Sequence, residues 1–198
     1  MSEALVLLDD YPQTSSEEFL EFISGKENQD RTFELIDGQI IGMAGNTTWN
    51  HQAVSGFIAR KIGNYLEGKT CQVASDINVY LYKEIIGSCK NIFQPDVVVG
   101  CDKSKMTDKG YEGTPELVVE VISKSTAKND YHTKCRTYME YGVKEYWIVD
   151  YIKNRVVVYI NSETSYPSVH MYTFSDTVKA GIFEDLSIDF NEAKELLT

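Results

Sequence analysis

The chain has 198 residues, 42% of them hydrophobic, which suits one globular domain, and no break in composition marks a second. No run approaches the roughly 18 apolar residues of a membrane span. The opening MSEALVLLDD lacks a basic region ahead of its short apolar patch, so a signal peptide is not expected. The net charge of −11, from 19 basic and 30 acidic residues, counts against a nucleic-acid partner, because phosphate binding wants a basic face.

Residues 1–13 read as a flexible N-terminal segment and 14–198 as a single domain. Thr14 with Glu17 fits a capping box ahead of a helical stripe, Phe19, Leu20, Phe22 and Ile23, that stops near Gly25. Strands over 32–36 and 39–43 flank Asp37-Gly38, a two-residue hairpin signal. A long helix is predicted from about Thr48 to Leu66, with Val54, Phe57, Ile58, Ile62, Tyr65 and Leu66 on its buried face and Gly68 at its stop. Strands follow over 72–74, 77–82 and 92–100, the last two separated by a turn at Ile86-Gly87-Ser88. Residues 101–114 form a charged, glycine-containing loop, either solvated surface or a flap whose lysines meet phosphates. A strand over 116–122 leads through a polar loop to a helix capped near Asn129-Asp130 and ended by Gly142. Strands over 145–150, 155–160 and 169–174 and a short helix over 191–197 complete the chain. This order predicts a single α/β domain with a central mixed β-sheet flanked by helices.

Two of these strands carry an acid against their pattern. Asp96 opens Val97-Val98-Val99, and Glu120 lies within Leu117-Val118-Val119-Glu120-Val121-Ile122. Val118, Glu120 and Ile122 share one face, so Glu120 is buried and needs a compensating charge or metal. Asp96 either satisfies backbone groups at the strand start or joins Glu120 in holding a divalent cation. Lys134, near the start of the following helix, completes a set of two acids and a lysine suited to metal-assisted phosphodiester hydrolysis. A zinc site is not expected, since Cys71, Cys89, Cys101 and Cys135 form no CxxC pair; the cysteines read as free thiols in a cytoplasmic protein.

Pro95-Asp96, the strand ending Glu120-Val121-Ile122-Ser123, the Lys134 and Tyr138 pair, and the run Gly142 to Asp150 together resemble the Uma2 family. So do Phe33-Glu34-Leu35-Ile36-Asp37-Gly38 and His51. That family belongs to the PD-(D/E)XK superfamily, so the resemblance implies a restriction-endonuclease-like fold. It implies a DNA endonuclease that leaves 5′-phosphates. It implies Mg²⁺ or Mn²⁺ held by Asp96, Glu120 and the backbone carbonyl of Val121, with Lys134 orienting or deprotonating the attacking water. Glu34 matches an early acid that related nucleases use as a further metal contact; otherwise it is a half-exposed hairpin residue. The chain departs from the pattern at Ile122, where ExK would place lysine. Lys134 fills that role, with Lys124 and Lys128 as less favoured substitutes. His51 could line the site or help cap its helix. Tyr138 could buttress Lys134 or be core. Tyr146 and Trp147 read as packing, or as a stacking surface for a base.

DNA is therefore the expected partner, with no membrane partner and a homodimer possible by analogy with the fold. The charge distribution leaves room for this: residues 101–144 hold eight Lys/Arg against seven Asp/Glu, so the rest of the chain carries −12. Two rivals remain open. One is a catalytically weak binding or regulatory module on the same fold. The other is a hydrolase of a small phosphoester.

Overall fold

The structure is a computed structural model that describes residues 6–7, 13–43, 48–82, 89–123, 127, 129–162 and 166–198. Most of segment 1–13, the turn at 86–88, and Lys124 and Lys128 lie outside the described residues. Strand β1 (Val6–Leu7) is described, and it pairs antiparallel with Ile41 and Gly42.

Helix α1 (Ser16–Ser24) starts one residue later than the sequence suggests. Ser15, not Thr14, is the cap: its hydroxyl accepts from the Glu18 N–H, and the Glu18 carboxylate accepts from the Ser15 N–H. Strands β2 (Thr32–Ile36) and β3 (Gln39–Met43) form the expected hairpin, with Asp37 and Gly38 both at positive φ, as a tight two-residue turn requires. Helix α2 (Trp49–Leu66) is capped by Thr48 and buries Val54, Phe57, Ile58 and Ile62. Strands β4 (Gln72–Ala74) and β5 (Val79–Leu81) follow.

The single strand expected over 92–100 is two strands, β6 (Asn91–Phe93) and β7 (Val97–Gly100), and they belong to different sheets. Pro95 has no N–H to give a ladder, so the chain breaks there and changes sheet. Segment 101–114 is likewise not irregular throughout. It contains β8 (Met106–Thr107) and β9 (Gly110–Glu112), a hairpin that joins β5 through a parallel pairing. Strand β10 (Leu117–Val121) precedes a π-helical turn, Asn129–Lys134, which runs into α3 (Cys135–Glu140). Strands β11 (Glu145–Asp150), β12 (Arg155–Ile160) and β13 (Ser168–Tyr172) then pair in sequence. The small pair β14 (Thr177–Lys179) and β15 (Ser187–Asp189), not foreseen from sequence, leads to α4 (Phe190–Lys194).

The architecture is mixed α/β with two large mixed sheets. One runs β1-β3-β2-β6-β5-β9-β8 and the other β13-β12-β11-β10-β7-β4. In the second, β10 pairs parallel with β11 and antiparallel with β7. One face of that sheet packs Val97, Val99, Leu117, Val119 and Trp147 against α2 and α4. The other packs Val98, Val118, Ile122 and Ile148 against α3 and the first sheet, through Tyr138, Leu81 and Phe93. Burial on both faces is why these strands read as continuous valine runs rather than alternating patterns. Each fully buried Val or Leu side chain contributes about 1.5–3 kcal/mol, so the frame beneath Asp96 and Glu120 is rigid.

Cys71 and Cys101 flank the β4–β7 pairing and form a disulfide, against the expectation of four free thiols. The register Gln72↔Gly100 brings the two cysteines opposite each other, a proximity that spacing along the chain does not reveal. Cys89 and Cys135 remain free thiols.

Candidate active site

Asp96 sits at the corner where the chain passes from β6 to β7. Its Oδ2 accepts the Val121 N–H at 2.6 Å, which locks it beside the residue that follows Glu120. Asp96 thus satisfies a backbone N–H, as one of its two readings expects, and does so beside the second acid. His51, in the first turn of α2, places Nε2 3.5 Å from Asp96 Oδ1. The helix cap is Thr48, whose Oγ1 accepts the His51 N–H, so the His51 imidazole lines the site rather than capping the helix.

Lys134 lies at the junction of the π-helical turn with α3, a kind of local unwinding that often marks functional sites. Its Nζ is 2.8 Å from Glu34 Oε1, 2.9 Å from Glu120 Oε1 and 3.5 Å from Asp130 Oδ1. Tyr138, one turn further on, donates its hydroxyl to Glu120 Oε1 at 3.3 Å. The Gln94 N–H donates to Glu34 Oε1 at 3.1 Å, so the chain just before Asp96 is tied to the same cluster. Glu34 is 1% exposed, not a half-exposed hairpin residue. Glu34, Asp96, Glu120 and Lys134, distant along the chain, therefore converge. Asp130 joins them, four residues before Lys134, a spacing that sets it beside the ammonium as well as near the expected helix cap. Val121 contributes its N–H to Asp96.

Burial pushes the Glu120 carboxyl well above the usual range, against the pull of Lys134. Burial likewise raises Glu34 and lifts Asp96 to about 6, the latter offset by His51 and the Val121 N–H. Burial alone would lower Lys134, but Glu120, Glu34 and Asp130 outweigh it and hold the ammonium well above its ordinary value. Lys134 is thus held as a cation in the metal-free protein, placed to orient water and to stabilise developing negative charge.

Three carboxylates (Glu34, Glu120, Asp130) surround this one ammonium, and Asp96 stands beside them against His51, so four acids share a single lysine. Glu34 Oε2 is buried without a hydrogen-bond partner. An all-oxygen donor set with surplus negative charge fits a hard divalent cation such as Mg²⁺. No ready-made group of three or more acidic, histidine or cysteine metal ligands occurs among the described residues. The carboxylates converge on the ammonium rather than on a common point. Protein ligation would then rest on few side chains and leave water on the ion, which is the usual habit of Mg²⁺.

Residues 16–191 match the Uma2 family, described as “Putative restriction endonuclease”. The chain belongs to the Uma2 family. It is 33% identical over 129 residues to “Uncharacterized protein slr1290” of Synechocystis, a stretch covering 65% of this chain and 63% of that protein. Its fold is similar to a crystal structure titled a “putative nuclease belonging to DUF820” from Anabaena variabilis. That likeness has a TM-score of 0.70 at 16% identity, over 92% of this chain and 98% of the other.

In this Uma2 chain, Tyr146 and Trp147 are fully buried on β11, so they pack and do not offer a surface to a base. Tyr138 is also fully buried and both packs and hydrogen-bonds Glu120. Lys103 and Lys109 stand exposed around the β8–β9 hairpin. No described helix is long and apolar enough to cross a membrane.

Proposed function

We infer that this Uma2 chain is a divalent-metal-dependent DNA endonuclease. The observation that carries this reading is the convergence of Glu34 and Glu120 on Lys134, with Asp96 tied to the residue after Glu120, so that acids outnumber the one lysine among them. Mg²⁺ or Mn²⁺ would be held by Asp96 and Glu120, with the Val121 carbonyl as the backbone ligand. The ion would supply the positive charge that polarises a phosphodiester and acidifies water. Asp96 is oriented for this by the Val121 N–H, and Glu120 by the Tyr138 hydroxyl. Lys134 keeps its proton, balances the two glutamates and stabilises charge developing on the phosphate. Glu34 fixes Lys134 from the opposite sheet. The family description and the nuclease title of the structural neighbour support hydrolysis of nucleic acid; the choice of DNA and the metal are this reading's own.

The test is cleavage of supercoiled and linear DNA at low salt with Mg²⁺, Mn²⁺ or EDTA, run for wild type, Glu120→Ala and Lys134→Ala. Metal-dependent cleavage lost in both variants is expected. Absence of wild-type cleavage from folded protein in either metal would sink the reading and favour a binding module.

A further inference from the structure

A cleft of about 400 Å³ opens beside the carboxylate cluster. Its floor includes Val98 and Gly100 of β7. Val98 lies on the face of the sheet that also carries Glu120, paired in register with Val118. Its outer wall is the β8–β9 hairpin, with Met106 and Tyr111 lining it. That wall is held tightly. The Tyr111 N–H donates to the Asn78 carbonyl at 2.8 Å, and a Cβ at Gly110 would meet that carbonyl oxygen at 2.1 Å. A Cβ at Gly100 would strike the Tyr111 ring at 2.2 Å, so only glycine lets the hairpin close on β7 here.

Gln94 connects the cleft to the catalytic cluster. Its backbone N–H binds Glu34, while its side chain lines the cleft and donates Nε2 to the Asp76 carbonyl at 2.8 Å. The Asp76 N–H in turn donates to the Pro95 carbonyl, next to Asp96. A group seated in the cleft therefore lies one or two residues from the metal-site acids. The rim is rich in acceptors: the exposed carboxylates of Asp76 and Asp108, and Gln94 Oε1, against the single ammonium of Lys109.

We propose that this cleft is a nucleobase subsite that seats one base of the DNA beside the cut and favours a base presenting an exocyclic amine, cytosine above thymine. This rests on the endonuclease reading and extends it to substrate preference. The apolar floor suits the face of a base, and carboxylate or amide acceptors suit the cytosine N4 amine, whereas thymine offers only an acceptor at that position. A base reaches such a cleft when it leaves the stack, so single-stranded or distorted DNA is the form that fills it.

Met106 reports on the cleft without any need for turnover. The protein would be labelled with methyl-¹³C methionine, the Met106 signal assigned with Met106→Leu, and deoxycytidine or thymidine titrated in EDTA. Deoxycytidine is expected to shift Met106 saturably, with thymidine binding roughly tenfold weaker. In Asp76→Gly/Asp108→Ala, which removes both carboxylate acceptors, the preference for deoxycytidine is expected to fall several-fold. Gly adopts the positive φ of Asp76 without strain, so this variant keeps the backbone, and the other methionine signals verify its fold. No Met106 shift with either nucleoside, or equal affinity in wild type, overturns the proposal. Because no metal or cleavage is involved, a protein that binds deoxycytidine but cuts nothing would reject the nuclease reading and keep the subsite. A nuclease with a silent Met106 would do the reverse.

Discussion

The Nζ of Lys134 lies 2.9 Å from Oε1 of Glu120, and the pair is almost wholly withdrawn from solvent. A buried pair of this kind is not in itself strongly stabilising, but losing one partner strands the other. Lys134→Met is therefore expected to destabilise the metal-free protein by about 3–5 kcal/mol. Mg²⁺ should recover more stability in this variant than in wild type, because it replaces the missing charge. Urea unfolding with and without Mg²⁺ measures both effects; a variant as stable as wild type in EDTA would contradict the cluster's electrostatics.

Asp96 carries two duties that substitution can separate. Asp96→Asn keeps an oxygen for the Val121 N–H and is expected to fold with near-normal stability while losing metal affinity. Asp96→Ala also leaves that N–H unpaired on a central strand, at a further cost of about 1–3 kcal/mol. Calorimetric Mn²⁺ titration beside urea midpoints would show the split. Equal stability of the two variants would mean that the hydrogen bond contributes nothing.

The carboxyls give the metal-free protein an inverted pH dependence. Asp96 is raised from 3.8 to about 6, and Glu34 and Glu120 are also raised. The folded state then binds more protons than the unfolded chain across this window, so stability falls as pH climbs from about 4 through about 6. For Asp96 the loss is on the order of 3 kcal/mol. In EDTA, urea midpoints are expected to be higher at pH 5 than at pH 7, with a shallower decline in Asp96→Asn. Midpoints that rise over this range would contradict the raised carboxyls.

The Cys71–Cys101 disulfide closes a loop of 30 residues and should stabilise by roughly 3–4 kcal/mol in the chain-entropy account. Protein denatured without reductant is expected to titrate two thiols, and reduced protein four. Cys89 and Cys135 are both pushed by burial to about 11, so alkylation of the native protein at neutral pH should be slow. Four thiols in unreduced protein would contradict the pairing.

Much of this was legible because it is local. Asp37-Gly38 between two apolar runs specifies a hairpin turn on its own, and both residues adopt the positive φ that turn demands. Strands β11 and β12 match their sequence-derived limits because valine and aromatic runs end at turn chemistry, with Asn154 at positive φ between them. The cap of α1 shifted by one residue because Thr14 and Ser15 offer the same chemistry, and only the surrounding chain chooses between them.

The sequence alone marked Asp96 and Glu120, since an acid inside a buried valine strand stands out by its cost. It also pointed to Lys134 and Glu34 through their likeness to a family. Only the tertiary structure brought Glu34 across from the other sheet onto Lys134, set His51 against Asp96, added Asp130, and paired Cys71 with Cys101. It alone split 92–100 at Pro95, placing Asp96 at the corner between sheets. The reason is physical: patterning along the chain reports how much each residue is buried. Which buried charges meet depends on strand order and register, and those are decided by contacts between residues far apart in sequence.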